Sequence, residues 1–152
     1  MIRVYDFVGG VETDTDPAAS DPVAAGDVVT LGYLQDGFTD FTLANNQAVT
    51  NVTGLSFDKT VYRSFVIEYQ IYRSAAGGST RARAGSLMGV TDGSGWELVE
   101  GMNAQMPADT DAGVTFTITS GGQIQYATDD NGGSYNAATS LFQYKITRKA
   151  AV

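Results

Sequence analysis

Apolar and polar residues alternate through most of the second half of the chain, a period of two that marks strands with one buried face. The clearest run is Val61 to Arg73, VYRSFVIEYQIYR. Phe65, Ile67, Tyr69 and Ile71 fall on one face, with Glu68 and Gln70 on the other. Tyr62, Val66 and Tyr72 share that second face, so both sides of the strand are expected to be partly covered. Beyond the turn Ser74–Gly78, the run Ser79–Thr91 sets Leu87 opposite Met88 and Val90. Asp92-Gly93-Ser94-Gly95 signals a turn before a strand at Trp96–Glu100.

GVTFTIT at Gly113–Thr119 alternates Val114, Phe116 and Ile118 with threonines, and GQIQYAT at Gly122–Thr128 repeats the pattern with Ile124 and Tyr126. A hairpin turn is expected at Asp129-Asp130-Asn131-Gly132. Leu141–Arg148 then closes the domain with Phe142, Tyr144 and Ile146 inward. No segment carries a 3.6-residue apolar period. Short strands punctuated by glycine predict an all-β fold, an antiparallel β-sandwich of jelly-roll type.

Residues 1–60 break the pattern. Ile2–Val8 predicts a short strand, and Gly9–Asp27, rich in Asp, Ala, Thr and Pro, reads as an extended arm. Val28–Gln35 predicts one short helix with Asp27 as its N-cap. Phe38–Leu43, Ala48–Val52 and Leu55–Phe57 predict strands feeding the sandwich. The expected organisation is therefore an acidic N-terminal arm, residues 1–36, and a sandwich knob, residues 37–152.

Charge sharpens that division. The chain of 152 residues has a net charge of −8, and residues 1–60 hold nine of its 17 acids against only Arg3 and Lys59. Such a surface repels phosphate backbones, so a nucleic-acid partner is not expected. No apolar run is long enough to span a bilayer and the start lacks a basic, hydrophobic signal segment, so neither membrane insertion nor secretion is expected.

With no Cys and no His, thiol catalysis, disulfides, Ser–His–Asp triads and His-based zinc sites are closed to a single chain. No cofactor is expected. Paired carboxylates remain open, with Asp109 and Asp111, or Glu97 and Glu100, as candidates for a small glycan hydrolase. Asp14-Thr15-Asp16 with Asp21, and the loop at Asp129, offer oxygen atoms to Ca²⁺, but neither has EF-hand spacing, and a solvated arm and a turn explain them.

The segment DPVAAGDVVTLGYL, Asp21 to Leu34, resembles one that recurs in phage fibre proteins. There an Asp-Pro start, a second Asp and a short apolar stretch ending in Tyr mark where three chains associate. The strand SFVIEYQIYR, the basic step RARAG at Arg81–Gly85, and the pair DAGVTF and GGQIQY between Asp111 and Tyr126 are similar to a phage virion domain. The resemblance spans residues 21–34 and 61–146, roughly two-thirds of the chain.

The resemblance implies a homotrimeric, tumour-necrosis-factor-like jelly-roll knob on the virion surface, made in the host bacterial cytoplasm. Asp21, Pro22, Asp27, Leu31, Tyr33 and Leu34 become the anchoring and trimer-associating residues. The major capsid protein or another virion protein is the expected partner, with the chain acting as capsid decoration, cement or short head fibre. No long shaft is present, which favours the head surface over a tail fibre. The rival is a receptor-binding tail tip that recognises a host surface glycan or protein. Arg81 and Arg83, two apart in a strand, share one face and are expected either at an interface or in solvent. Among the aromatic residues, Trp96 and most tyrosines are expected in the core or at the trimer axis. Tyr135, in a glycine-rich loop, is expected to be free for a ligand.

Overall fold

A computed structural model describes residues 5–8, 11–14, 37–107 and 111–152. The chain divides into two units, Met1–Gly37 and Phe38–Val152. In the first, β1 (Tyr5–Val8) and β2 (Val11–Asp14) form an antiparallel hairpin, with Val8 opposite Val11. β1 lies inside the strand expected at Ile2–Val8. β2 corrects the reading of Gly9–Asp27 by adding a paired strand, for which Gly9-Gly10 is a two-residue hairpin sequence. The helix expected at Val28–Gln35 lies outside the described residues.

The second unit is an antiparallel β-sandwich. Its strands are β3 (Thr39–Thr42), β4 (Thr50–Ser56), β5 (Tyr62–Arg73), β6 (Ala75–Ala76), β7 (Arg81–Thr91), β8 (Trp96–Met106), β9 (Val114–Ile118), β10 (Gln123–Thr128), β11 (Ser134–Tyr135) and β12 (Leu141–Ala151). One sheet runs β3-β12-β5-β7-β8 and the other β4-β10-β9, with β6 and β11 forming a small separate pair. The long strands β5, β7 and β8 pair in sequence as a meander.

The two large sheets meet in an aromatic core. Phe65, Ile67, Tyr69 and Ile71 of β5, Leu87 of β7 and Phe142 and Tyr144 of β12 pack with Val52, Leu55, Val114, Phe116, Ile124 and Tyr126 of the smaller sheet. Tyr69, Phe116 and Phe142 form one triangle with ring centroids 4.8–5.9 Å apart. Phe57, Phe65 and Trp96 form another at 3.9–6.3 Å. Those of β5, β9, β10 and β12 are the alternating apolar positions that the sequence marked, and Trp96 is a core residue as expected.

Large residues on β5 face small ones on β7. Phe65 lies opposite Gly89 and Tyr69 opposite Gly85, so two rings cover bare backbone. A Cβ on Gly89 would stand 2.1 Å from the Phe65 ring. The volume saved on one strand is filled from the other, which keeps the core at close-packed density.

Three sequence-based boundaries change. Ala48–Val52 and Leu55–Phe57 belong largely to one strand, β4, because Gly54 takes a φ of 82° where the β4–β10 register slips. That irregularity lets Val52 and Leu55, three residues apart, both point inward. β8 runs on to Met106, well past the Glu100 at which its apolar alternation fades. The loop after Thr128 is not a hairpin turn, since β10 pairs with β9 and β4 while β11 pairs with β6.

Candidate functional site

The inward alternation of β5 continues past the apolar core to Arg73, whose side chain is fully buried. A guanidinium removed from water needs its donors satisfied by acceptors or a counter-charge. Arg73 Nη1 donates to the carbonyls of Ala112 (2.9 Å) and Gly113 (3.0 Å) and to Asp129 Oδ1 (2.6 Å). Its Nη2 donates to Asn45 Oδ1 (3.1 Å) and to the Asp129 carbonyl (2.8 Å). One side chain thus ties the loop before β9, the loop after β10 and the loop after β3 to the end of β5.

Asp129 also accepts from Arg81 Nη1 at 2.5 Å. Partial burial works to raise its carboxyl, but hydrogen bonds and charge from Arg73 and Arg81 outweigh this and hold it below its ordinary value. Gly113 has no room for a side chain here: a Cβ would lie 2.0 Å from Asp129 Oδ1, and its φ is 62°. Asn131 Nδ2 donates to the Ser79 carbonyl, and Asp130 accepts from Asn45 and from the Gly132 N–H, so the acidic loop is locked by its own side chains.

Further along the inner face, Arg83 Nη2 lies 3.0 Å from Glu100 Oε1. The Tyr69 hydroxyl donates to the same carboxylate oxygen. Burial, reinforced by this hydrogen bond, pushes the Tyr69 phenol well above its ordinary value. The Arg83 guanidinium sits 5.7 Å from the Tyr69 ring and 5.8 Å from that of Phe116.

These contacts place the residues singled out in the sequence. Arg81 and Arg83 do share a face, but it is the inner one. Both pair with acids of their own chain, which replaces the expected interface or solvated face. Register sets Arg81 opposite Arg73 and Arg83 opposite Ile71, so both follow the inward parity of β5 and β7. Tyr135 is also engaged: its hydroxyl donates to the Leu43 carbonyl at 2.7 Å, and Arg73 lies 5.7 Å from its ring. Its expected freedom for a ligand gives way to a role in holding the loop.

Glu97 stands opposite Val90 and Glu100 opposite Leu87, on opposite faces of β8, so these two carboxylates do not converge on one bond. Asp109 lies outside the described residues, as do Asp21, Pro22, Asp27, Leu31, Tyr33 and Leu34. Among the described residues, no group of three or more acids could hold a metal ion.

The outer face of the five-stranded sheet was not marked by sequence reasoning as a site. Register brings Val66, Met88 and Val99 into one row across β5, β7 and β8, with Val90 one pair further along. Met88, Val90 and Val99 are 43%, 58% and 59% exposed, an apolar ladder in water. At the other end of the face, two rows run across the strands: Asp40, Gln143, Gln70, Ala84 and Ala104 in one, Leu141, Tyr72, Ala82 and Met106 in the next. Of these, Gln143, Gln70, Ala84, Ala104, Tyr72, Ala82 and Met106 line a trough of about 470 Å³. Met88 and Val90 were read as a face opposite Leu87, so the ladder's parity was legible. Its alignment across strands was not, because cross-strand register leaves no mark in a single strand's alternation.

No protein-family model matches the chain, and no curated protein matches it. Among solved structures, it is similar to the tailspike protein of Acinetobacter phage vB_ApiP_P1, with a TM-score of 0.41 and 10% identity. The likeness covers 92% of this chain and 26% of the tailspike, so the chain spans about a quarter of that protein's length. At this level it decides neither fold nor activity.

Proposed function

We propose that this chain is a non-enzymatic structural protein of a phage particle, a homotrimeric decoration, cement or short head-fibre protein. The observation that carries this reading is the outward row Val66, Met88, Val99 with Val90. It spans three hydrogen-bonded strands, whereas apolar residues on a monomer's surface are ordinarily scattered. Packing against the same face of further copies removes this row from water, and each of these half-exposed residues contributes about 1 kcal/mol when covered. The fibre-like segment Asp21–Leu34 gives the acidic arm its task of attachment to the capsid or another virion protein.

The inner face supports a scaffold role. Its polar side chains are spent on each other: Arg73, Arg81 and Asp129 close one end of the sandwich, and Arg83 binds Glu100. A frame stiffened in this way presents its outer face in a fixed shape. The arm divides from the knob by function: a protein lacking residues 1–36 should remain a folded trimer and no longer bind particles. Decoration of particles by the truncated protein would refute that division of labour.

A receptor-binding tail tip is the second reading, and the trough on the outer face favours it. Fluorescently labelled protein distinguishes the two, since a decoration protein coats capsids and a tip coats host cells.

A further inference from the structure

We infer that the trough at the Tyr72 end of the outer sheet face binds an uncharged saccharide. The inference rests on the trough itself and not on where the protein sits in a particle.

The first observation is a directional chain of amides. Asp40 Oδ1, which can only accept when ionised, takes a hydrogen bond from Gln143 Nε2 at 2.8 Å. This fixes the orientation of the Gln143 amide, whose Oε1 then accepts from Gln70 Nε2 at 2.7 Å. With the Gln70 nitrogen engaged by Gln143 on β12, its Oε1 remains as an acceptor beside β7, the strand on its other side. The cross-strand neighbours there are Ala84 and then Ala104, too short to fill the space or to compete for the bond. Two hydrogen bonds thus pre-orient an acceptor over a floor of methyl groups, and little ordering is left for a ligand hydroxyl to impose.

The second observation is the wall. Tyr72, two residues on from Gln70 and on the same face, is 47% exposed and stands opposite Ala82. A half-exposed ring beside alanine offers an apolar platform next to a fixed polar atom. Sugars match that pairing, with C–H groups on one side of the ring and hydroxyls around its edge.

The third observation is charge. The chain carries −8 overall, yet the trough lining holds only one charged side chain, Arg83, which is buried and paired with Glu100. Asp40 at the far end is held by Gln143. The lining offers an acidic sugar no cation beyond the buried Arg83, already paired with Glu100, so the fit is to a neutral one.

The test titrates the full-length protein with neutral oligosaccharides built from glucose, galactose, mannose and N-acetylglucosamine, and with a uronic-acid oligosaccharide of equal length. Binding is read by calorimetry and by the side-chain amide signals of Gln70 and Gln143. At least one neutral oligosaccharide should bind saturably and shift both amide signals. Tyr72→Ala and Gln70→Leu should each weaken it at least about tenfold. Asp40→Asn, which frees the amide chain to reverse, should also weaken binding, while Tyr135→Phe should leave it unchanged. No saturable binding to any neutral oligosaccharide, preference for the uronic acid, or undiminished binding by Tyr72→Ala would each overturn the inference. So would a fall in the protein's solution mass on Tyr72→Ala, which would assign the trough to a second copy of the chain.

Discussion

The guanidinium of Arg73, with no exposed surface, meets the carboxylate of Asp129 at 2.6 Å, and the acid's other oxygen takes Arg81 at 2.5 Å. Arg73 is the next inward position after Phe65, Ile67, Tyr69 and Ile71, so a strand that builds the core ends by placing a charge at its rim. The loops that Arg73 gathers would otherwise leave the carbonyls of Ala112, Gly113 and Asp129 without these donors.

Asp129→Asn leaves the buried guanidinium without its counter-charge. Breaking such a pair from one side costs more than the pair contributes, and we expect a loss of about 3 kcal/mol in urea unfolding at neutral pH. Arg81→Ala, which removes a less buried cation from a half-exposed acid, should cost no more than about 1 kcal/mol. Equal losses in the two variants would contradict the central place given to Arg73.

The same pair sets a pH dependence. Partial burial opposes ionisation of Asp129, but the two arginines win and its carboxyl lies below the ordinary value. Its stabilisation is then fully present above the unfolded carboxyl value of about 4 and is lost as pH falls through the lower folded value. Unfolding free energies measured from pH 6 down to pH 2 should drop less steeply in Asp129→Asn than in the parent protein.

Tyr69 should titrate at the alkaline end. Burial and its bond to Glu100 both disfavour the phenolate. In an ultraviolet pH titration, replacing Tyr69 with Phe should remove absorbance from the last phase of tyrosine ionisation and leave the earlier phases intact.

Gly89 is constrained by space and not by its φ. An added Cβ would fall 2.1 Å from the Phe65 ring, so Gly89→Ala should destabilise the sandwich by about 1–3 kcal/mol. Trimming the ring with Phe65→Leu should make the alanine less costly than it is in the parent, a coupling that a double-mutant cycle measures.

Much of the fold was legible because alternation is a local property. Phe65, Ile67, Tyr69, Val114, Phe116, Ile124 and Phe142 share the faces that their spacing marked as apolar, and all are buried. Arg73 was not read as buried, although it continues the same parity, because composition alone treats an arginine as surface. Arg81 and Arg83 were given the right common face and the wrong surroundings, since Asp129 comes from a loop 48 residues after Arg81 and Glu100 meets Arg83 only through the β7–β8 register. The row Asp40, Gln143 and Gln70 spans over a hundred residues, and only strand order and register bring it together. Tyr135 looked free for the same reason: the Leu43 carbonyl that holds it lies 92 residues away.

Copy-to-copy contact across the row Val66, Met88 and Val99 is most directly tested by the mass of the full-length protein in solution, with light scattering during size-exclusion chromatography. The parent chain should elute at about three times its 16.0 kDa, and a Met88→Asp, Val99→Asp variant with an unchanged far-ultraviolet spectrum should elute at the mass of one chain. A parent protein that stays at the mass of one chain across micromolar concentrations would contradict it.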